Sequence, residues 1–406
     1  MGALSHIRIV DLSRVLAGPW ATQILGDLGA EIIKIEKPGE GDETRRFGPP
    51  FLPTKRGANA DAVYFLSTNR NKKSVAIDIA KSEGGALVKR LCRRAHVVVE
   101  NFKTGTLARY GLDYDSIAHE NPALIYCSLT GFGHDGPYKD KSGYDYLIQG
   151  MAGLMSITGQ PDGAPGSGPM KVGVAVSDII SGLYAAIAIL AAIVHQSRTG
   201  EGQSIDMALF DCQAAALANQ AMNYLAGDVT PTRMGNAHPN IVPYQVFATL
   251  DGFLILAIAT DQQFGRFCKT AGANHLSGDT RFATNAERVR NRSEIVGLLI
   301  PLLRAKTTAE WIALLDMANV PCGPINRIDQ VFSDPQALAR GLTVSMNHAV
   351  AGNLDLVASP LRLAKTPPEY RLAPPSLGEH TDDVLRNVLG MANDDLDRLR
   401  NAGVIA

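Results

Sequence analysis

The first 130 residues alternate short apolar segments with amphipathic ones, and this order constrains the fold more than any other feature of the sequence. The segments HIRIVDL, EIIKIEK, SVAIDI, AHVVVEN and ALIYCSLTGF are almost continuously apolar and rich in β-branched residues, which is typical of buried parallel strands. Between them, GPWATQILGDLGA and EGGALVKRLCRRA have the composition and length of helices of about three turns. The sequence therefore predicts a large α/β domain with a Rossmann-like parallel sheet covered on both faces.

A change of character after residue 200 predicts a second, smaller domain. Residues 1–200 are assigned to the large domain, and residues 201–240 to a linker region. The linker region takes in part of SRTGEGQSIDMALFDC, which predicts a turn, strand and helix, and then GDVTPTRMGNAHPNIVPY, which is rich in Gly, Pro and Asn. YQVFATLDGFLILAIA predicts a hairpin around Asp251 and Gly252. Helical segments follow, so residues 241–325 are expected to form a small α+β domain.

Composition and charge exclude several classes of function. The chain has 406 residues and a net charge of −1, which argues against a general nucleic-acid or membrane binder. Its 5 cysteines are scattered without metal-ligand spacing, so we expect a reduced, cytoplasmic protein with no metal site. The apolar run Ile179–Val194 is shorter than the roughly 20 residues that a bilayer requires, and it predicts a buried core helix.

A nicotinamide enzyme is one alternative for the N-terminal βαβ unit. Glu36 ends the second predicted strand, where a dinucleotide-binding fold places the acid that binds ribose. However, the turn after the first strand reads DLSRVLAGPW and has no GxGxxG pattern, and GxxxxGK[ST] does not occur in the sequence. Backbone amides could not cradle a pyrophosphate there in the usual way, so this alternative is disfavoured.

Basic residues follow several of the predicted strands, and they allow two interpretations. They are Lys37, Arg45, Arg46, Arg70, Lys72, Lys73, Lys103 and Arg109. They could form a solvated rim of mixed charge. Alternatively, they could form a cationic pocket at the ligand-binding edge of the sheet, which would suit a phosphorylated nucleotide tail. Their spacing leaves both interpretations open.

A lone carboxylate, Asp178, opens the long apolar helix predicted in KVGVAVSDIISGLYAAIAILAAIVH. Its type and position predict a helix N-cap. They also allow a catalytic role, because a carboxylate at a helix start is expected to stay ionised even when partly buried. An ionised carboxylate that faces a cleft can act as a nucleophile. The two roles are compatible.

Eight segments in order, spread over nearly the whole chain, resemble the class III CoA-transferases, the CaiB/BaiF family that includes formyl-CoA transferase. The segments are LAGPWATQILGDLGAEIIKIEKPGEGDETR, NRNKKSVAIDI, VVVENFKTGTLARYGLDY, SGYDYLIQGMAGLMSITG, VSDIISGLYAAIAILAAI, RTGEGQSIDMALFD, VPCGPI and LGEHTD. The resemblance implies reversible transfer of CoA between two carboxylic acids. It makes Asp178 the nucleophile, which would form an aspartyl mixed anhydride and then an aspartyl-CoA thioester. Coenzyme A thioester is then a substrate, and no tightly bound cofactor is expected.

The resemblance also implies an assembly and a set of CoA contacts. We expect an interlocked homodimer in which residues 326–406 return to the large domain. The family's CoA contacts fall on Leu16, Ala17, Lys37, Ile77, Asn101, Phe102, Lys103 and Arg109, to which Tyr144 and Asp145 are added. Two positions depart from the family pattern. Leu16 replaces the glutamine of formyl-CoA transferase, and Ala80 stands where some relatives have a lysine, with Lys81 one place later.

Two other functions share this fold. The α-methylacyl-CoA racemases place a His-Asp dipeptide where this chain has Tyr144 and Asp145, and tyrosine is a poor base near neutral pH. His134 lies ten residues before Tyr144 and does not align with the racemase histidine. These differences favour transfer over racemisation. A non-catalytic acyl-CoA-binding protein is the other alternative, and the presence of Asp178 argues against it.

The substrate-facing loop differs from that of formyl-CoA transferase, which has a run of glycines. GNAHPNIVPYQVF occupies the corresponding region, with Gly235, Asn236 and His238 as candidate lid or acceptor-binding residues. The same segment could be a plain linker between domains. We expect succinyl-CoA as donor and glutarate or another small dicarboxylate as acceptor, from the resemblance to this subfamily.

Overall fold

The computed structural model describes residues 1–53 and 61–406. It divides the chain into two compact units. Unit 1 consists of Met1–Leu154, Lys171–Gly227 and Leu338–Ala406, and unit 2 of Met155–Met170 and Asp228–Ala337. The division differs from the predicted boundaries, because residues 201–227 belong to unit 1 rather than to a linker and unit 2 continues to residue 337.

Unit 1 is built on a six-stranded sheet in the order β3-β2-β1-β4-β5-β6. Every neighbouring pair is parallel, as the sequence predicts. The strands are β1 (Arg8–Asp11), β2 (Glu31–Glu36), β3 (Lys72–Ala76), β4 (Val97–Glu100), β5 (Ile125–Thr130) and β6 (Gln203–Ala208). The region after residue 200 is not a linker, because residues 203–208 form the edge strand β6 and pair with β5.

Helices cover both faces of this sheet. Alternate strand residues enter two apolar clusters on opposite faces of the sheet. Val10 belongs to one cluster and Ile9 to the other. The helices assigned wholly to unit 1 are α1 (Ala17–Asp27), α2 (Val63–Leu66), α3 (Ser82–Cys92), α4 (Tyr114–Ala118), α5 (Asp145–Met151), α7 (Val176–Thr199), α8 (Leu209–Ala215), α9 (Ala218–Leu225), α17 (Thr381–Leu389) and α18 (Asn393–Asn401). Two short helices cross the boundaries between the units, α6 (Leu154–Ile157) and α16 (Pro335–Ala339).

The C-terminal segment is part of unit 1. It adds the hairpin β10 (Thr343–His348) and β11 (Gly352–Val357). Its last residues lie in the core of the sheet: Ile405 forms a bridge to Ile77, and Ala406 N donates to Ala76 O. The segment from residue 338 thus lies with the N-terminal sheet, whereas residues 326–337 lie in unit 2.

Helix α7 is long and apolar enough to cross a membrane by length and composition, with a mean hydropathy of 2.0 over 18 residues. One side of it packs on α1, β5 and β6, as predicted for a core helix. The composition of this helix also predicts burial on most of its sides. That prediction is wrong for the single chain, because only 44% of the 18-residue window is buried. A stripe at helical spacing that includes Leu183, Ile187 and Val194 remains exposed.

Unit 2 is an α+β unit with its own apolar core. Its sheet is antiparallel, β7 (Tyr244–Ala248), β8 (Phe253–Ala257) and β9 (Cys322–Pro324), and the hairpin predicted around Asp251 and Gly252 joins the first two strands. Phe264, Phe267 and Trp311 lie in its core. Its helices are α10 (Asp261–Thr270), α11 (Asn274–Gly278), α12 (Asn285–Arg290), α13 (Arg292–Leu303), α14 (Thr308–Met317) and α15 (Ile328–Ser333).

Candidate active site

Asp178 lies in the first turn of α7, but it is not the N-cap that the sequence predicts. Ala175 occupies the N-cap position, and its side chain makes no capping hydrogen bond. The acceptor comes instead from Asp145, whose Oδ1 accepts from Ser177 N at 2.8 Å and Asp178 N at 3.4 Å. A carboxylate 33 residues earlier in the chain thus satisfies the free amides of the helix and complements its dipole. The Asp178 side chain is left available for chemistry.

The ionisation of Asp178 reflects this arrangement. Burial, and then the charge of Asp145, raises the pKa of Asp178 to about 7. The expectation that this carboxylate stays fully ionised is therefore wrong. At neutral pH it is divided between the ionised form, which can attack a carbonyl, and the protonated form, which cannot.

Asp178 faces a cavity of about 440 Å³ in unit 1, which we call the Asp178 cleft. Its volume lies within the range of small-molecule sites. Besides Asp178, it is lined by Leu16, Ala17, Asn101, Phe102, Lys103 and Tyr144, which the sequence analysis selected, and by Arg14, Val15, Glu43, Lys139 and Lys141, which it did not. The cleft lies beyond the carboxyl ends of β1, β4 and β5, where parallel sheets bind their ligands.

A second cavity of about 270 Å³ adjoins the cleft and contains two more predicted CoA contacts. Lys37 and Ile77 line it, together with Arg46, and it shares Arg14, Glu43 and Phe102 with the Asp178 cleft. Ile77 is 1% exposed, so it borders this cavity with almost no free surface of its own. Two cavities with a common wall suit a long substrate whose reactive end lies by Asp178.

Two predicted CoA contacts have other positions. Arg109 is exposed on a 3-10 helix (Leu107–Tyr110) and lines neither of these two cavities within the described part of the chain. Asp145 is occupied by the N-terminus of α7, and its Oδ2 accepts from Gln149 Nε2 at 2.7 Å. We therefore assign Asp145 to the support of α7 rather than to CoA. Lys81 Nζ, the alternative to the missing lysine at Ala80, donates to Ala402 O at 2.6 Å.

Three of the basic residues considered for a cationic pocket are buried. Arg45 binds Glu36 through two hydrogen bonds of 2.8 Å, and Arg70 binds Asp27 in the same bidentate manner. Lys72 is fully buried as well. The pocket interpretation is wrong for these three, because their charges are neutralised inside the protein. The pairing also occupies Glu36, the acid that the nicotinamide alternative required.

The candidate lid residues Gly235, Asn236 and His238 all belong to unit 2. Gly235 N donates to Gly159 O at 2.9 Å, and its φ of 61° is a left-handed conformation that favours glycine. Asn236 is exposed. His238 N donates to Tyr244 O at 3.0 Å, and its ring accepts from Asn240 N. Their role as a lid stays a prediction.

Four of the cleft residues that the sequence analysis missed come from two loops. Arg14 and Val15 lie between β1 and α1, and Lys139 and Lys141 lie between β5 and α5. Both loops follow strands of the parallel sheet, so the rule used for the other basic residues would have selected Arg14, Lys139 and Lys141. The three basic side chains make the cleft suitable for anionic groups.

The N-terminal turn of α1 lies against α7 one turn after Asp178. Gly182 makes this possible, because a Cβ added there would lie 2.6 Å from Ala17 O and 3.0 Å from the Trp20 ring. Residues four apart in a helix share a face, so Gly182 and Asp178 face the same side of α7. The close approach brings the α1 wall of the cleft beside the candidate nucleophile.

A parallel α/β fold with a carboxylate at the head of a long apolar helix, beside adjoining cavities with basic side chains, fits an enzyme that acts on acyl-CoA. The model of CoA-transferase family III matches residues 4–381, and the chain belongs to this family. The predicted class, a CoA-transferase of the CaiB/BaiF type, is thereby confirmed.

Individual relatives match over nearly the whole chain. The chain is 50% identical over 382 residues to a succinate–glutarate CoA-transferase of Agrobacterium fabrum, with 94% of each protein covered. It is 41% identical to the human succinyl-CoA:glutarate CoA-transferase, with 99% of this chain and 90% of the human protein covered. Among solved structures, a CaiB/BaiF family protein from Brucella suis is 47% identical with a TM-score of 0.82, covering 94% of this chain and 98% of that protein.

Proposed function

We propose that the enzyme transfers CoA from succinyl-CoA to glutarate or a dicarboxylate of similar size. The observation that carries this proposal is the identity of 41–50% to relatives named for succinate and glutarate, over nearly the full chain. The basic side chains of the Asp178 cleft agree with it, since both the coenzyme and the free ends of the dicarboxylates are anionic.

Asp178 acts as the nucleophile in this proposal. Its carboxylate attacks the thioester carbonyl, the C–S bond breaks, and CoA leaves as a thiolate from a mixed anhydride. The thiolate then attacks the carbonyl of Asp178, which releases the donor acid and forms an aspartyl-CoA thioester. The acceptor carboxylate attacks this thioester to give a second anhydride, and the thiolate attacks the acceptor's carbonyl. The new acyl-CoA forms and Asp178 is restored as a carboxylate, with no net change in protons.

The surroundings of Asp178 support each step of this cycle. The thiolate must stay near the anhydride, and the adjoining cavity offers a place for the remote end of CoA during both transfers. Burial of the carboxylate reduces its access to water, which would otherwise hydrolyse the anhydride. Asp145 holds the first turn of α7 in place without entering the reaction.

Racemisation has less support in the same geometry. It needs an acid and a base on the two faces of the α-carbon. Tyr144 is 70% exposed, and a phenol is ordinarily protonated at neutral pH. Asp145 is engaged by the backbone of α7. Asp178 could remove a proton from one face, but among the described residues neither Tyr144 nor Asp145 supplies a partner that would deliver one to the other.

Incubation of the enzyme with succinyl-CoA and isotope-labelled glutarate tests the proposal. We expect labelled glutaryl-CoA and free succinate in equal amounts, and hydroxylamine should trap a modification at Asp178. A parallel incubation of 2-methylacyl-CoA in D2O should show no α-deuteration at a comparable rate. Rapid α-deuteration without acid-dependent transfer would instead make the enzyme a racemase, and transfer only to monocarboxylic acids would overturn the proposed substrate class.

The pH dependence of transfer should depend on Asp145. Since only ionised Asp178 attacks, kcat/KM is expected to fall as the pH drops through about 7 and to level off above it. Asp145→Asn keeps an oxygen for the amides of α7 and removes the charge that helps to raise the pKa of Asp178. The acidic limb of the profile should therefore move to lower pH. An unchanged limb would show that Asp145 does not influence the nucleophile.

The proposal includes a cytoplasmic homodimer without a nucleic-acid or membrane partner. The exposed apolar stripe of α7 that includes Leu183, Ile187 and Val194 supports a second copy of the chain as its cover, since such stripes usually mark interfaces. The five cysteines are free, which agrees with a reducing compartment. Light scattering should give twice the chain mass of 43.3 kDa, whereas a monomer mass would contradict the dimer.

A further inference from the structure

The loop between β1 and α1 has an unusual backbone conformation at Val15. Its φ of 68° lies in the left-handed region, which is a genuine outlier for a β-branched residue. Strained residues of this kind persist only where the surrounding structure holds them in several ways. Val15 itself lines the Asp178 cleft, and the next two residues, Leu16 and Ala17, continue this wall.

A buried ion pair holds this loop from below. Lys34 Nζ donates to Ser13 O at 2.9 Å, and Val15 N donates to the two carboxylate oxygens of Asp42 at 3.2 and 3.3 Å. Lys34 and Asp42 bind each other at 2.9 Å, and both side chains are 0% exposed. Although burial opposes it, Lys34 holds the pKa of Asp42 down at about 2, so the pair is charged throughout the working pH range.

A second residue holds the loop from the side. Asn101 Oδ1 accepts from Arg14 N at 2.8 Å, and Asn101 Nδ2 donates to Arg14 O at 2.6 Å. Three consecutive loop residues are therefore fixed through their backbone by side chains from β2 and from the segments after β2 and β4. The side chains of Ser13 and Arg14 add further bonds, to Asp11 and Glu43.

The buried Lys34–Asp42 pair is better explained by the loop conformation that it specifies than by added stability. Desolvation of two charges offsets much of their attraction, so a buried ion pair is weak evidence for added stability. Its better-supported use is to specify one conformation. Here each partner of the pair also binds the backbone of the loop, which apolar side chains of the same size could not do.

We propose that Lys34 and Asp42 are a positioning pair, which fixes the loop Ser13–Ala17 so that its cleft wall meets the acyl-CoA substrate beside Asp178. The close packing of Ala17 O on Gly182 transmits this position to α7. The proposal rests on the assignment of the Asp178 cleft to CoA transfer. Both residues also border the adjoining cavity, but their side chains are 0% exposed, so the pair acts through the loop and does not itself take part in the reaction.

The test compares single and double variants of the pair. Asp42→Asn and Lys34→Met each leave one buried charge without its partner, and a fall in Tm of about 10 °C is expected for each. In Lys34→Met/Asp42→Asn the charges balance again, and Tm should recover most of this loss. The KM for succinyl-CoA should nevertheless stay at least tenfold above that of the wild type, because Ser13 O has lost its donor.

Arg70→Met/Asp27→Asn is the matched control. This pair is also buried, but neither partner lines the Asp178 cleft or contacts its loop. Its removal should lower Tm and leave the KM unchanged. The proposal predicts that the KM rises only in the Lys34–Asp42 series, and that it stays raised there when Tm recovers. Recovery of both quantities in the Lys34→Met/Asp42→Asn variant would show that the pair only balances buried charge.

A further variant covers the case in which the double variant does not fold. Asp42→Glu keeps the charge balance but moves the carboxylate away from Val15 N by one methylene. We expect it to fold, with a KM for succinyl-CoA raised at least fivefold and free CoA binding weakened to the same extent in calorimetry. A wild-type KM in folded Asp42→Glu would overturn the proposal. Failure of the wild-type enzyme itself to transfer CoA would contradict the proposed function instead.

Discussion

Replacement of Asp178 by Asn is expected to abolish CoA transfer and to stabilise the protein. The loss of activity follows because an amide cannot form the anhydride, and Glu43, the other carboxylate that lines the described cleft, is bound to Arg14. The gain in stability follows from the raised pKa of Asp178, since the folded protein must bury an ionised carboxylate that the unfolded chain exposes to water. In the proposed mechanism, catalysis thus requires an ionised group whose burial destabilises the fold.

The difference in stability between the wild type and Asp178→Asn should change with pH in a direction that can be measured. The pKa of about 7 in the folded protein lies above the ordinary value of 3.8, so the free energy of unfolding of the wild type falls as the pH rises toward 7. The advantage of Asp178→Asn in the free energy of unfolding should therefore grow by about 2 kcal/mol between pH 5.5 and pH 8.5. Denaturant titrations at the two pH values measure it.

Asp211→Asn provides the matched control for this experiment. Asp211 lies exposed on α8, so its replacement should change neither the stability nor its pH dependence. An Asp178→Asn variant that is less stable than wild type at pH 8.5 would show that the carboxylate stabilises the fold. Residual transfer of more than a few per cent would mean that another group carries the acyl intermediate.

Gly182→Ala should produce the second large effect. The added methyl group would meet the Ala17 carbonyl at 2.6 Å, and a carbonyl within a packed helix cannot rotate away as a flexible side chain can. The two helices must therefore separate, at a cost of about 1–3 kcal/mol. Because Asp178 lies one turn before Gly182, we expect kcat to fall at least tenfold. Steady-state kinetics and thermal unfolding measure the two effects.

Gly297→Ala is the control for Gly182→Ala, because it changes helix propensity without a steric clash. Gly297 lies inside α13 of unit 2, and a Cβ added there would meet nothing within 4 Å. Alanine should stabilise the protein at that position by about 0.5–1 kcal/mol, because it lowers the entropy lost on helix formation. If Gly182→Ala were equally stabilising and fully active, the helices would not depend on their close contact.

The sequence predicts the parallel sheet of unit 1 well because each strand is marked locally. Val10 and Val98 belong to apolar runs bounded by turns, and such runs need no knowledge of their partners to be recognised. The hairpin at Asp251 is marked in the same local way. The position of Asp178 in a cleft could also be predicted, since the family resemblance covered its segment.

The remaining features depend on contacts between distant residues. The cap of α7 comes from Asp145, and no local pattern around Asp178 indicates it. For the same reason the sequence could not show that Arg45 and Arg70 serve buried carboxylates. A basic residue after a strand has the same local signature whether it faces a ligand or an internal partner. The exposed stripe of α7 escaped prediction because apolar composition does not distinguish a core from an interface.

The bridge between Ile77 and Ile405 has a consequence for protein synthesis. Ile77 lines the cavity that adjoins the Asp178 cleft, and residues 404–406 bind the backbone of residues 76–78. This edge of the cavity therefore cannot close until residue 405 has left the ribosome, long after Asp178 has emerged. A nascent chain therefore carries Asp178 before this edge of the adjoining cavity is complete.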